Sequence, residues 1–123
     1  MRVLVCGGRY YDDWAFIVDA LDRVHAREPV SLLIEGGATG ADILARRWAI
    51  ARGIEVATYR ADWHRYKSRA VSIRNSQMLR EGRPELVVAF KGGRGTAHMV
   101  TIAAAALVPV LKTWRFAGQA GPA

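Results

Sequence analysis

Leu86-Val87-Val88-Ala89-Phe90-Lys91-Gly92-Gly93-Arg94-Gly95-Thr96 is the stretch on which the fold turns. Its first five residues form an apolar run that reads as a strand buried on both faces. Beyond Thr96 an apolar, alanine-rich stretch reads as a helix to about residue 107, with Thr96 as its cap. A glycine-rich turn between strand and helix lets backbone N–H groups approach an anion closely. The helix N-terminus adds partial positive charge at the same place. Gly92, Gly93, Arg94, Gly95 and Thr96 are therefore expected to form a phosphate-binding loop, with Arg94 as a charged contact.

Two more glycine turns of this kind lie upstream. Residues 2–6 read as a first strand ending in Gly7-Gly8-Arg9, followed by a helix from about Asp13. That helix carries Trp14, Ile17, Val18, Leu21 and Val24 at helical spacing. Residues 31–34 read as a second strand, ending at Glu35-Gly36-Gly37. In Thr39-Gly40-Ala41-Asp42, Thr39 is a plausible N-cap and Asp42 an acidic capping-box variant. The helix beyond buries Leu44, Ala45, Trp48 and Ala49 and stops at Gly53.

Residues 54–59 make a third strand, followed by Ala61-Asp62-Trp63 and a polar, basic connection to Arg69. A helix over about residues 70–80 follows, with a weak stripe of Val71, Met78 and Leu79. Arg74 and Asn75 stand in its middle. Asparagine is a poor mid-helix residue, and a broken local rule invites a functional reading; the plainer alternative is a side chain that bonds a neighbouring loop. A short strand over residues 108–111 contains Pro109, which suits a sheet edge. Residues 1–115 read as one domain and 116–123 as a flexible tail.

Strands alternating with helices through short loops imply right-handed crossovers and a mainly parallel sheet covered on both faces. The expected fold is a single α/β domain, doubly wound and Rossmann-like, with five strands. In such a sheet all strand C-termini share one edge, and ligands bind where strand order reverses. If the first strand lies beside the fourth, Gly7, Gly8 and Arg9 face the loop at 92–96 across one crevice. Two guanidiniums over backbone donors suit phosphate or pyrophosphate.

Near that edge, Asp42 reads first as a cap and second as a ribose or catalytic contact. Asp62 reads as an acceptor for ribose hydroxyls or as a turn-forming aspartate. Trp63 could stack on a base, although packing over the sheet is the favoured role. His98 and Met99 read as structural. The dinucleotide fingerprint G-x-G-x-x-G is absent after the first strand, and no Walker A loop occurs.

The 123 residues carry 18 Lys and Arg against 11 Asp and Glu, a net charge of +7, and 51% are hydrophobic. The balance suits an anionic ligand or nucleic acid. No basic tract with interleaved aromatics marks a polymer site, so nucleic acid ranks behind a small nucleotide. The one cysteine, Cys6, reads as a buried thiol. His25, His64 and His98 are widely separated, so no metal is expected, nor any cofactor. No apolar run could span a bilayer and no leader opens the chain, so no membrane is expected and the setting is taken as cytoplasmic.

GGR after the first strand, GGATGAD after the second, ADW followed by IRN, and AFKGGRGTAHM together resemble the YspA-type, YpsA-related branch of the SLOG superfamily. The resemblance runs over about residues 2–111. It implies a Rossmann-like fold that binds a nucleotide or nucleotide-derived ligand, and a homo-oligomer, a dimer, as in many superfamily members. The superfamily includes the lonely-guy phosphoribohydrolases, the molybdenum-cofactor carrier proteins and DprA.

Lonely-guy enzymes carry PGGxGTxxE. Here Lys91 stands in place of the proline and Met99 in place of the glutamate. Methionine cannot accept a proton, so the pattern implies a grip on phosphate without that acid. The leading expectation is a binding module for a phosphorylated nucleoside derivative, a sensor or carrier. In it Gly7, Gly8, Arg9, Gly92, Gly93, Arg94, Gly95 and Thr96 hold phosphate. Gly36, Gly37, Gly40 and Asp42 shape the other wall, and Asp62, Arg74 and Asn75 contact sugar, base or a second phosphate. An N-glycosidic hydrolase is the alternative, in which Asp42, Asp62 or Glu35 would replace the missing glutamate.

Overall fold

The computed structural model describes residues 1–114. The residues read as a tail, 116–123, lie outside that range. Five strands form one sheet: β1 (Arg2–Cys6), β2 (Leu32–Glu35), β3 (Glu55–Thr58), β4 (Leu86–Ala89) and β5 (Val110–Lys112). Their order is β3-β2-β1-β4-β5 and every pairing is parallel. The chain winds outward from β1 to β3, then returns to the other side of β1 for β4. That return puts the reversal of strand order between β1 and β4, where Val3 pairs with Leu86 and Cys6 with Ala89.

Helices α1 (Trp14–Arg27) and α2 (Ala41–Ala51) cover one face. There Val3, Val5, Leu33, Val88 and Phe90 meet Ile17, Leu21, Ala45 and Trp48 in one buried cluster. Helices α4 (Ala70–Gly82) and α5 (Arg94–Ala105) cover the other. There Leu4, Cys6, Ile34, Val87 and Ala89 meet Met78, Met99 and Ala103. Alternate strand residues feed opposite cores, so the central strands are apolar except at Arg2, which opens β1, and Glu35, which closes β2. Trp48 is fully buried, and its indole N–H donates to Asp22 at 2.8 Å, which binds α2 to α1.

Most differences from the sequence reading fall at element ends, and one changes the buried face of α4. Asp13 caps α1, accepting from the Phe16 N–H at 3.0 Å. Trp14, however, is 41% exposed and outside the core stripe. Strand β2 extends to Glu35, whose side chain is fully buried. The basic connection holds a one-turn helix, α3 (Trp63–Tyr66), and a 3-10 turn (Lys67–Arg69). The buried stripe of α4 is Ala70, Arg74, Asn75 and Met78 rather than Val71 and Leu79. Helix α5 stops at Ala105, and Pro109 precedes β5, where its carbonyl accepts from the Val87 N–H at 2.9 Å.

Two expected caps are absent for one reason. In each a glycine takes the N-cap position, one residue later than expected in α2 and three residues earlier in α5. Gly40, not Thr39, is the N-cap of α2, and Gly93, not Thr96, is the N-cap of α5. Neither glycine has a capping side chain. This leaves Asp42 and Thr96 inside the first turns of their helices, buried, and available for other contacts.

Candidate functional site

The turns after β1 and β4 touch through their backbones. The Gly8 N–H donates to the Lys91 carbonyl at 3.0 Å. A Cβ built on Gly92 would lie 2.7 Å from the Gly8 nitrogen, so no larger residue fits at that contact. Above it opens a cleft of about 840 Å3 at the C-terminal edge of the sheet. Val5, Cys6, Val71 and Met78 supply an apolar floor; Arg9, Arg74, Lys91 and Arg94 supply positive charge; Asp12 and Asp42 are the acidic residues in the lining.

The β4 side of this cleft is built of open backbone. Gly92, Gly93, Arg94, Gly95 and Thr96 all line it. Among the described residues, none of their N–H groups has a hydrogen-bond acceptor. A helix leaves its first N–H groups unpaired by construction, and here the glycines extend the run by two residues. The twelve-residue helix α5 adds its dipole at the same point. Arg94, the first residue of α5, is exposed and makes no ion pair among the described residues. Across the cleft, the Arg9 guanidinium lies 4.9 Å from the centroid of the Trp63 ring. Trp63 is 49% exposed and is not among the side chains packed against either buried cluster, so the favoured role of covering the sheet does not hold.

The turn after β2 is built in the opposite way. Its N–H groups are already taken by carboxylates. Asp42 Oδ2 accepts from Gly36 at 3.1 Å and Ala38 at 3.3 Å, and Glu35 Oε1 accepts from Gly37 at 2.7 Å. The Thr58 hydroxyl donates to Glu35 Oε2. Arg74 crosses from α4 on the other face. Its Nη1 donates to the Gly36 carbonyl at 2.6 Å and to that of Tyr59 at 3.4 Å, and its Nε to Asn75 at 3.0 Å. The Asn75 amide then donates to the Gly95 carbonyl at 3.1 Å and lies 3.1 Å from His98 Nδ1. Arg74 and Asn75 thus bind three loops of the edge together, the plainer of the two roles read from the sequence, while both also line the cleft.

Burial sets the electrostatics of this cluster. Asp42 is 6% exposed, and desolvation pushes its carboxyl up to about 6. The Arg74 charge and the two N–H donors oppose that rise and do not cancel it. Arg74 is itself pulled below its ordinary value by burial, while Asp42 and Glu35 favour its charge. Burial likewise pushes the Cys6 thiol up to about 12, which leaves it protonated and inert as a nucleophile.

Of the residues singled out in the sequence, Gly7, Gly8, Arg9, Asp42, Arg74, Asn75, Gly92, Gly93, Arg94, Gly95 and Thr96 line the cleft. Gly36 and Gly37 line a smaller pocket beside it. Gly40 lines neither and packs against the backbone of Gly8 and Arg9. Asp62 lines neither; it caps α3, accepting from the Arg65 N–H at 3.1 Å. The sequence reading missed Arg60, Lys91, Tyr10 and Tyr11. Arg60 and Lys91 follow strand ends on the ligand-binding edge, a position that marks them once the strand boundaries are known. Tyr11 is held against Phe90, with ring centroids 5.5 Å apart. Among the described residues no helix is long and apolar enough to cross a membrane.

An all-parallel sheet of this order, with a glycine-walled cleft at the reversal of strand order, defines a Rossmann-like α/β domain. The family model described as YspA, cpYpsA-related SLOG family matches residues 1–66, and the chain belongs to that family. The Gene 61 protein of Mycobacterium phage D29 is 40% identical to it over 119 residues, which cover 89% of this chain and 94% of the phage protein.

Proposed function

We propose that the cleft binds a nucleotide or nucleotide-derived phosphorylated ligand, and that the protein is its sensor or carrier. The observation that carries this reading is the run of N–H groups at residues 92–96, which have no partner among the described residues and line the cleft at the start of α5. Phosphate oxygens are the acceptors such a run fits. Membership of the SLOG family supports a nucleotide-related ligand. Arg94 adds a charged contact on that wall, Gly7, Gly8 and Arg9 face it, and Trp63 offers a base an exposed ring. Asp62 contributes by capping the helix that presents Trp63. The same reading takes the protein as cytoplasmic and as a homodimer, whose mass light scattering would report.

Thermal unfolding in the presence of nucleoside monophosphates, nucleoside diphosphates and dinucleotides tests it. A saturable rise in Tm is expected with at least one of them. Arg94→Ala should weaken that ligand about tenfold, equivalent to about 1.4 kcal/mol. No stabilisation by any of them at millimolar concentration would overturn the reading.

One observation favours a second reading, the N-glycosidic hydrolase. Asp42 is a buried, cleft-lining carboxyl pushed up to about 6, the range in which an acid can exchange a proton near neutrality. Glu35 is fully buried and paired with Thr58 and Gly37, and Asp62 is a cap, so neither is placed to replace the missing glutamate. Release of free base from a nucleoside monophosphate, abolished in Asp42→Asn, would establish this reading; no release above an Arg94→Ala background would remove it.

A further inference from the structure

The main cleft continues into a second pocket of about 200 Å3 behind Trp63. The two share Arg9, Ala38, Trp63, Val71 and Arg74 as their common wall. Three guanidiniums line the second pocket: Arg9, Arg60 and Arg74, each from a different segment of the chain. No carboxylate lines it. Among the described residues none of the three arginines forms an ion pair. Arg60 makes one long hydrogen bond, 3.3 Å to the Gly37 carbonyl, and Arg9 is held by the Trp63 ring. Arg74 uses Nε and Nη1 in its own hydrogen bonds, and Nη2 has no acceptor among the described residues. Thr39 also lines the pocket, and its hydroxyl has no hydrogen-bond partner among the described residues.

Three like charges around a small space repel one another. Arg9 and Arg74 are close enough for that repulsion to count among the influences on Arg74, after burial. Glu35 and Asp42 stand behind the turn and bind its N–H groups, so they temper the field without filling the pocket. Three cations against two carboxylates leave a net positive site even when both carboxylates are ionised. The group that resolves such an arrangement is a compact anion with several acceptor oxygens, which guanidinium forks hold well.

We propose that this side pocket is a second anion site, and that the ligand of the cleft carries two separated anionic groups, as a nucleoside phosphorylated at two positions does. This rests on the nucleotide reading of the main cleft. One group meets the N–H run at residues 92–96, and the other passes Trp63 to Arg60.

Calorimetric titration of the full chain with adenosine 5′-monophosphate and with the adenosine 2′,5′- and 3′,5′-bisphosphates tests it. At least one bisphosphate should bind ten times more tightly than the monophosphate or better. In Arg60→Ala and Arg60→Glu that preference should fall to near unity. Arg60 is exposed, so thermal unfolding of both variants should match the parent; Thr39→Val serves as a second probe of the pocket and should reduce the preference without removing it. Equal affinity for the three nucleotides would overturn the second site and leave the nucleotide reading standing. So would a preference that survives both Arg60 variants. No binding of any of them would overturn the doubly phosphorylated adenosine ligand, and, joined to no stabilisation by the wider nucleotide set, the nucleotide reading as well. Tighter binding of a single-stranded oligonucleotide than of either bisphosphate would overturn the small-ligand assignment.

Discussion

The loops after β2 and β4 carry the same outward pattern, a buried strand followed by two glycines and then a helix. They use it for opposite purposes. After β4 the glycines leave the N–H groups of residues 92–96 beside the cleft and without partners among the described residues. After β2 the N–H groups of Gly36, Gly37 and Ala38 are spent on Glu35 and Asp42. There Gly36 makes room for side chains: a Cβ on it would run into the Arg74 guanidinium. A double glycine at a strand end therefore marks close approach of something. Whether that is a ligand or the protein's own arginine depends on where neighbouring carboxylates point.

The largest expected effect comes from the contact that locks the β2 loop against the turn after β1. Gly40 has φ +80 and ψ −128, a conformation essentially restricted to glycine. A Cβ there would also come within 2.6 Å of the Arg9 carbonyl carbon, and closer still to the Gly8 oxygen. Gly40→Ala should cost more than about 3 kcal/mol, because strain and collision add. Urea unfolding measures it. A cost below about 1 kcal/mol would show that the first and second turns are not locked together.

Much of the architecture was legible because strands and helices are punctuated so regularly. The apolar runs at residues 2–6 and 86–90, each ending in glycines, were enough to anticipate a parallel sheet. Arg74 and Asn75 drew attention by breaking helix preference, and they do tie three loops together. The role of Asp42 was not legible. A carboxylate two residues into a helix can cap that helix or reach backward, and the choice is made by the path at Gly40, which in turn depends on packing against Gly8 and Arg9. Arg60 escaped notice for a related reason: its place after a strand end marks it only as lying on the ligand-binding edge, and its neighbours in the pocket come from distant parts of the chain.

The next effect tests whether the β2 loop is held by charge. The Asp42 carboxyl is raised from 3.8 to about 6. Below pH 4 it is protonated in both folded and unfolded chains, so burial costs nothing. Above about pH 6 it is ionised in both, and the folded state bears the cost of burying the charge. The native protein therefore binds more protons than the unfolded chain between these limits, and its stability falls as pH rises through them. Asp42→Asn removes that dependence. The stability of the variant relative to the parent should climb by on the order of 3 kcal/mol from pH 4 to pH 7. Parallel pH profiles for the two proteins would show that Arg74 already compensates the charge in full, and the β2 loop would then be an ion pair in all but distance.

The smallest effect on stability should come at the corresponding position of the β4 loop. A Cβ built on Gly93 meets nothing within 4 Å. Its φ of −101 is open to other residues, so Gly93→Ala faces no collision. The methyl group would instead project into open space beside N–H groups assigned to phosphate. Replacing a glycine N-cap by alanine should cost about 1 kcal/mol or less, while affinity for a nucleotide should fall about tenfold because the ligand can no longer reach the backbone. Denaturant unfolding and calorimetric titration of the one variant separate the two quantities. Loss of stability with unchanged affinity would reverse the contrast between the loops, making the β4 turn a packing device and moving the phosphate to the arginines behind Trp63.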